Sequence, residues 1–298
     1  MKILVFVPTL NAAKLFKNLL NVLKKQTIVN IFIIDSSSTD NTVQIAKTTG
    51  VEVHEISRSD FNHATTRNLV LQKEADFYLF MTQDALPYDD KLVENLFKPF
   101  DDENVVVSYA RQIPYKDANE IEKFARETNY PATSIIKSKD SIKELGIKTF
   151  FSSNSCAMYR ADYFKKVGGF KEGLIMNEDM EFAYRAIMDD KKVAYCSDAK
   201  VWHSHNYSSR DIFKRYFDIG VFFKTNQYIL DQANTESTGI KQAIEELKYL
   251  SKKNGLLLPK SFIFSFVKFI AYKMGYNYKK IPYKLRKTLS LHKNWHKK

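Results

Sequence analysis

An apolar run at Ile3–Val7 leads into Asn11–Gln26, where Leu15, Leu19, Leu20 and Leu23 recur at helical spacing, and then into a second apolar run at Ile31–Ile34. This order predicts a βαβ opening. Thr39–Thr49 reads as a second helix stopped by Gly50, Val51–Val53 as a third strand and Asn62–Lys73 as a third helix. Phe77–Met81 then reads as a buried strand, Asp89–Phe97 as a helix and Val105–Tyr109 as a further strand. Strands alternating with helices predict an α/β domain, a parallel sheet with helices on both faces.

After Tyr109 the pattern fades. Residues 111–150 are polar, rich in Lys, Asp and Glu, and without clear strand periodicity, so a mobile segment over the site is expected there. Helical spacing returns at Met180–Met188, opened by Asn177-Glu178-Asp179, and an apolar segment closes at Val201-Trp202-His203. No fixed-period repeat and no low-complexity stretch is present, which leaves solenoid and disordered readings without support.

A chain of 298 residues, 44% hydrophobic with 9 Gly and 7 Pro, can form one large or two smaller domains with a full core. Its two cysteines, Cys156 and Cys196, make neither a disulfide framework nor a Cys-x-x-Cys pair, so both are expected reduced and buried. The first apolar run meets Pro8 at once, too short for a signal peptide, which points to the cytoplasm. The net charge of +12 is local: residues 241–298 hold 15 of the 46 Lys and Arg but only 2 of the 34 acids, leaving 31 against 32 in the rest.

Open parallel sheets bind ligands beyond the carboxyl ends of their strands, and three polar segments fall there. The first is Pro8-Thr9-Leu10-Asn11, the second Asp35-Ser36-Ser37-Ser38-Thr39-Asp40, the third Thr82-Gln83-Asp84. Asp35 follows its strand directly and can accept hydrogen bonds from a base or ribose, whereas Asp40, beside the helical residues, is the better helix cap. Asp84 can hold a metal or a sugar, or cap a turn before Pro87. Neither Gly-x-Gly-x-x-Gly nor Gly-x-x-x-x-Gly-Lys occurs, so a diphosphate needs another partner, which a divalent cation on Asp84 would supply. Glu178 and Asp179 either complement a helix dipole or sit at a pocket mouth shaped by Gly168–Gly173. His203 and His205 face one side if extended, either able to join a metal shell, touch a diphosphate or serve the core.

Taken in order, Pro8-Thr9-x-Asn11, Asp35 to Asp40, Thr82-Gln83-Asp84, Asn177-Glu178-Asp179 and His203 resemble family 2 glycosyltransferases over about residues 1–225. The resemblance implies a GT-A fold with a Rossmann-like, mostly parallel central sheet flanked by helices. Residues 1–110 would be the nucleotide-sugar-binding half, 111–225 the acceptor-binding half, and 226–298 a helical, basic, aromatic-rich extension. It implies that Pro8, Thr9, Asn11, Asp35, Ser37, Arg67, Asn68, Gln83 and Asp84 bind the donor, with Asp35 on the base and Arg67 on the phosphates. Asp84 and His203 would hold Mg²⁺ or Mn²⁺, Asp179 would be the general base of an inverting transfer, and Glu178 would shape its surroundings.

Phe61-Asn62-His63-Ala64-Thr65-Thr66-Arg67-Asn68 together with Thr82–Ala85 is similar to the subset that moves L-rhamnose from dTDP-rhamnose, with a UDP-sugar donor as the alternative. Thr82 stands where the family's first acid of Asp-x-Asp stands. A saccharide acceptor, lipid-linked through a polyprenyl chain, fits the tail: Leu256–Ile270 is apolar and aromatic but interrupted by Pro259, Lys260 and Lys268. That segment reads as too broken to span a bilayer and suited to a headgroup layer, making the enzyme peripheral on the inner face of the cell membrane, unless it packs back on the catalytic domain. Nucleic-acid binding would use the tail but leave Asp35, Asp84, Glu178 and Asp179 without a role, so no nucleic-acid partner is expected. A catalytically silent sugar-nucleotide binder is the remaining alternative.

Overall fold

A computed structural model describes residues 1–26, 29–233 and 238–296. The chain runs β1 (Ile3–Thr9), α1 (Ala13–Leu23), β2 (Val29–Asp35), α2 (Thr42–Thr48), β3 (Glu52–Glu55), α3 (His63–Asn68) and β4 (Phe77–Met81). Next come β5 (Leu86–Pro87), α4 (Leu92–Phe97), β6 (Val105–Ile113), α5 (Glu120–Asn129), β7 (Ile135–Lys137), α6 (Ile142–Leu145), β8 (Cys156–Arg160), α7 (Ala161–Lys166), α8 (Glu178–Met188) and β9 (Lys192–Trp202). Helices α9 (Ser209–Thr225), α10 (Gln227–Asp231), α11 (Thr238–Lys253), α12 (Leu258–Tyr276) and α13 (Tyr283–Leu289) complete the chain.

The sheet has the order β3-β2-β1-β4-β8-β6-β9-β5, with β7 also on β9. β1, β2, β3 and β4 are parallel, as the alternating pattern predicts. β8 enters antiparallel between β4 and β6, while β6 and β9 pair parallel. Both sheet faces are apolar: Phe6, Phe32, Tyr78 and Phe80 pack beneath α3, α7 and α8, and Val5, Val7, Leu79 and Met81 face Phe16, Leu19 and Leu20 of α1. Cys156 and Cys196 are free and buried in this second layer.

The expectation for residues 111–150 is corrected. β6 runs on to Ile113, α5 is capped by the Asn119 side chain on the Glu122 amide, and β7 pairs antiparallel with β9. Lys137 ties this charged segment to the core. Its ammonium is buried, donates to the Tyr109 hydroxyl at 3.1 Å and to the Phe151 carbonyl, and burial pushes its pKa down to about 7.

The tail is corrected as well. Pro259 sits in the first turn of α12, where its missing N–H costs nothing, so the segment is one unbroken helix. By length and composition alone, Gly255–Tyr276 could cross a bilayer, with mean hydropathy 1.4. One side of it packs back on the protein instead: Ala271 and Gly275 lie against α9, Phe264 packs with Ile212 of α9 and Leu250 of α11, and Ser261 donates to Glu246 of α11. The crossing is closed by glycines: a Cβ on Gly275 would lie 1.9 Å from the Phe217 carbonyl oxygen, and one on Gly220 would lie 2.3 Å from that of Tyr272. Gly275→Ala is therefore expected to cost about 1–3 kcal/mol by forcing the helices apart. Thermal denaturation with limited proteolysis of α12 checks it; unchanged melting with an equally protected helix would contradict the packing.

Candidate active site

The site begins where three parallel strands end. Asn11 and Ser37 adopt left-handed φ values of 50° and 61°, and Asn177, before α8, one of 60°. Such conformations cost energy for non-glycine residues and concentrate at functional sites. Asn11 holds the first two loops together, its Oδ1 accepting from the Thr39 amide at 2.8 Å. Ser37 donates its hydroxyl to the Ile56 carbonyl. Asp35 is fully buried and faces inward, accepting from the Thr9 and Ser38 hydroxyls at 2.9 and 2.6 Å and from the Ser38 amide at 2.7 Å. It organises the loop whose outer surface would meet a base, rather than lining the cavity itself. Asp40, expected as the cap, lies one residue before the N-cap Asn41 of α2 and accepts from the Thr42 amide at 3.0 Å and the Ala13 amide at 3.1 Å.

A cavity of about 960 Å³ opens beside these loops. Pro8, Thr9, Ser36, Arg67, Thr82 and Gln83 line it. Gln83 clamps β1 to β4 by pairing both polar atoms of its amide with the Leu10 backbone, at 2.8 and 3.1 Å. Asn68 lies outside the wall; it holds the Phe170 backbone by two bonds of 2.8 and 2.9 Å and abuts Gly169, where a Cβ would lie 2.5 Å from its Oδ1.

Asn62 caps α3 and so places His63 and Arg67 one turn apart. Arg67 is buried, and its Nη1 lies 3.0 Å from Glu178 Oε1. Glu178 also accepts from Asn154 Nδ2 at 3.0 Å. Burial pushes the Glu178 carboxyl up, but Arg67, His63 and Asn154 outweigh it and hold it below the ordinary range. Asp179, the next residue, accepts from the Asn154 and Met180 amides at 3.0 and 2.8 Å. Its pKa is raised to about 7, first by burial and then by the Glu178 charge. Two adjacent acids thus divide into a fixed anion and a proton acceptor poised near neutrality.

Asp84 follows β4, and β9 delivers His203 and His205 to it. Its carboxylate oxygens lie 3.4 Å from His203 Nε2 and 3.3 Å from His205 Nε2, and one ligand atom from each of the three residues falls within 4.8 Å of the others. Gln112 Oε1 accepts a hydrogen bond from His203 Nδ1 at 2.8 Å, which leaves Nε2 for the cluster. Burial works against the Asp84 charge, but His203 and then His205 beside it hold the carboxyl well below its usual range. Two imidazoles and a carboxylate suit a divalent cation, and His205 is a third candidate ligand beside the Asp84 and His203 expected from the sequence. The loop Ser153–Ser155 joins this cluster to the acid pair: Ser155 accepts from the Thr82 amide at 3.2 Å, and Asn154 donates to Asp179.

The match that decides the family covers residues 4–168 with the model described as glycosyl transferase family 2. The chain belongs to that family. Among curated relatives of this family 2 chain, the O-antigen chain rhamnosyltransferase RfbN of Salmonella typhimurium is 40% identical over 99% of the chain and 96% of its own length. WbaN of Salmonella anatum, of the same description, is 41% identical over 97% and 94%. The enzyme is thus a glycosyltransferase, as the sequence resemblance implies. Its fold is that of solved GT-A enzymes: a Pyrobaculum calidifontis mannosyltransferase in complex with GDP-Man and Mn²⁺ superposes with a TM-score of 0.62 at 14% identity, over 93% of this chain and 87% of that one. Staphylococcus aureus TarS residues 1–349, in complex with UDP, superposes at 0.55 with 19% identity, over 95% and 93%.

Proposed function

We propose that this enzyme transfers L-rhamnose from dTDP-rhamnose, with inversion, to a lipid-linked saccharide in cell-surface polysaccharide synthesis. The observation that carries the reading is the Ser153–Ser155 loop, which bonds on one side to the Thr82 amide, two residues before Asp84 of the Asp84-His203-His205 cluster, and on the other to Asp179 of the acid pair. The near-full-length likeness to two O-antigen rhamnosyltransferases supports the choice of sugar.

Asp84, His203 and His205 would hold a divalent cation, which when bound would neutralise charge on the departing diphosphate. The two imidazoles favour Mn²⁺ over Mg²⁺. Asp179 takes the proton of the acceptor hydroxyl as the new bond to the anomeric carbon forms and the bond to the diphosphate oxygen breaks. Glu178, locked by Arg67 and Asn154, keeps its charge and so keeps Asp179 basic. Calorimetric titration with dTDP-rhamnose and UDP-sugars, with and without Mn²⁺ or Mg²⁺, tests the donor. Metal-dependent binding of dTDP-rhamnose alone is expected; preference for a UDP-sugar would overturn the rhamnose reading while leaving the transferase.

The outer side of α12 supports attachment to the inner face of the cell membrane. Phe262, Phe266 and Phe269 follow one another at i, i+4 and i+7, flanked by Ile263 and Ile270, and all five are exposed. Lys260 and Lys273 of the same helix are exposed as well, and Lys279, Lys280, Lys284 and Lys287 follow, whereas Lys268 turns inward to Glu246. Anionic vesicles are expected to sediment the protein and neutral ones far less, each cation near the surface contributing about 1 kcal/mol. Phe262→Glu with Phe266→Glu should abolish the capture. Equal, negligible binding to both vesicles would end this part of the proposal.

A further inference from the structure

The far end of the chain forms part of the donor cavity. Leu291, His292, Lys293, Asn294 and Trp295 line it together with Pro8–Leu10, Arg58–His63 and Thr82–Gln83. Their seat is built from specific contacts. The Trp295 indole N–H donates to the Gly173 carbonyl at 2.7 Å, on the loop that leads to α8. Asp218 of α9, fully buried, accepts from the Leu291 amide at 2.9 Å, and Ser290 beside it is fully buried too. The His292 ring meets the His63 ring edge to face at 5.4 Å, and buried His296 packs against Phe217, Tyr278 and Trp295.

The charges around the cavity show what this segment adds. Arg67 is taken up by Glu178, and the other cations on the wall are Arg58 and Lys293, both exposed. The ion pairs among the described residues engage neither of them. Opposite stand Asp60 and Glu172, so without Lys293 the rim would hold one free cation against two acids. A sugar nucleotide brings a diphosphate, and an unpaired ammonium on a fixed segment is suited to meet it.

We infer that Ser290–His296 is a fixed roof of the donor cavity and that Lys293 binds the diphosphate of the nucleotide sugar, taking the phosphate role that the resemblance assigns to Arg67. This rests on the cavity being the donor site. The roof is held at Gly173, five residues before Glu178, so its seating also sets the loop that delivers the acid pair.

The chain has two tryptophans, Trp202 and Trp295, so Trp202→Phe leaves the roof as the sole indole reporter. Nucleotide binding, with dTDP, UDP and GDP as probes in the presence of Mn²⁺, is expected to change Trp295 emission and shield it from iodide. Lys293→Ala is expected to weaken the bound nucleotide about tenfold, the loss of one charge-assisted hydrogen bond, with unaltered melting, and Lys293→Arg to restore most of the affinity. If the wild-type chain binds a nucleotide while Lys293→Ala binds it equally well and Trp295 quenching is unmoved, the roof inference falls and the donor reading stands. If no nucleotide binds the wild-type chain, the donor reading falls and this inference with it.

Discussion

Asp179→Asn is expected to lower kcat by about 10³-fold while leaving donor affinity nearly unchanged, because the amide fills the same space but cannot accept a proton. The separation follows from the geometry: the Asp179 side chain is tied to the Asn154 and Met180 amides and is not among the residues lining the cavity proposed for the donor. The pH profile carries a second signature. Asp179 works only when ionised, and burial with the Glu178 charge raises its pKa to about 7. Wild-type kcat/KM should therefore climb as pH rises through about 7 and level off above it, and fall below it as the carboxyl takes up a proton. Glu178→Gln removes the negative neighbour and should move that rise to lower pH, besides leaving Arg67 buried without its partner. Near-normal turnover in Asp179→Asn would mean that another group is the base.

Asp84→Ala should have an effect of similar size on a different quantity. It removes the only carboxylate of the Asp84-His203-His205 cluster, so the increment that Mn²⁺ adds to donor affinity should vanish and kcat/KM should fall about 10³-fold or more. His205→Ala should be milder, since Asp84 and His203 would still offer two ligands. Gln112→Leu tests orientation without touching a ligand: it frees His203 Nδ1, and a loss of about 10–100-fold in metal affinity is expected. Donor titrations with and without metal, side by side for these three variants, give the ranking. Full metal dependence in Asp84→Ala would remove that carboxylate from the cation site.

Strand ends were the most legible part of the chain. A continuous apolar run followed at once by Asp35 or by Thr82-Gln83-Asp84 marks both the strand and its carboxyl end, and β2 and β4 finish where the pattern says. Helix limits were less so: the Asn62–Lys73 expectation is α3 followed by a 3₁₀ turn at Leu69–Gln72, and Asp89–Phe97 begins as a helix only at Leu92. Residues 111–150 misled because a three-residue edge strand has no measurable period and because Lys137 reads as surface while its ammonium is fully buried. Side-chain direction was beyond the sequence as well. Asp35 ends β2 and Asn68 ends α3, yet both spend their hydrogen bonds on backbone and hydroxyls within the fold. His203 and His205 were placed on one side by alternation along an extended segment, but their convergence on Asp84 depends on Gln112 and on the pairing of β6 with β9. The roof over the cavity had no local signal, since Leu291–Trp295 acquires its meaning only from Gly173, Asp218 and His63.

The antiparallel insertion of β8 between β4 and β6 limits how this enzyme could be recombined with others. A chimaera cut at residue 110, the boundary between the two expected halves, would divide β6 and set β4 against the other parent's strand, because its partner there comes from residues 156–160. The neighbour of the first half in space is thus a late strand in sequence. Swaps meant to change acceptor choice should carry β8 with its own β4 and β6, or exchange only the segments that hang beyond the sheet, since a simple front-and-back division places a mismatched seam in the middle of the sheet.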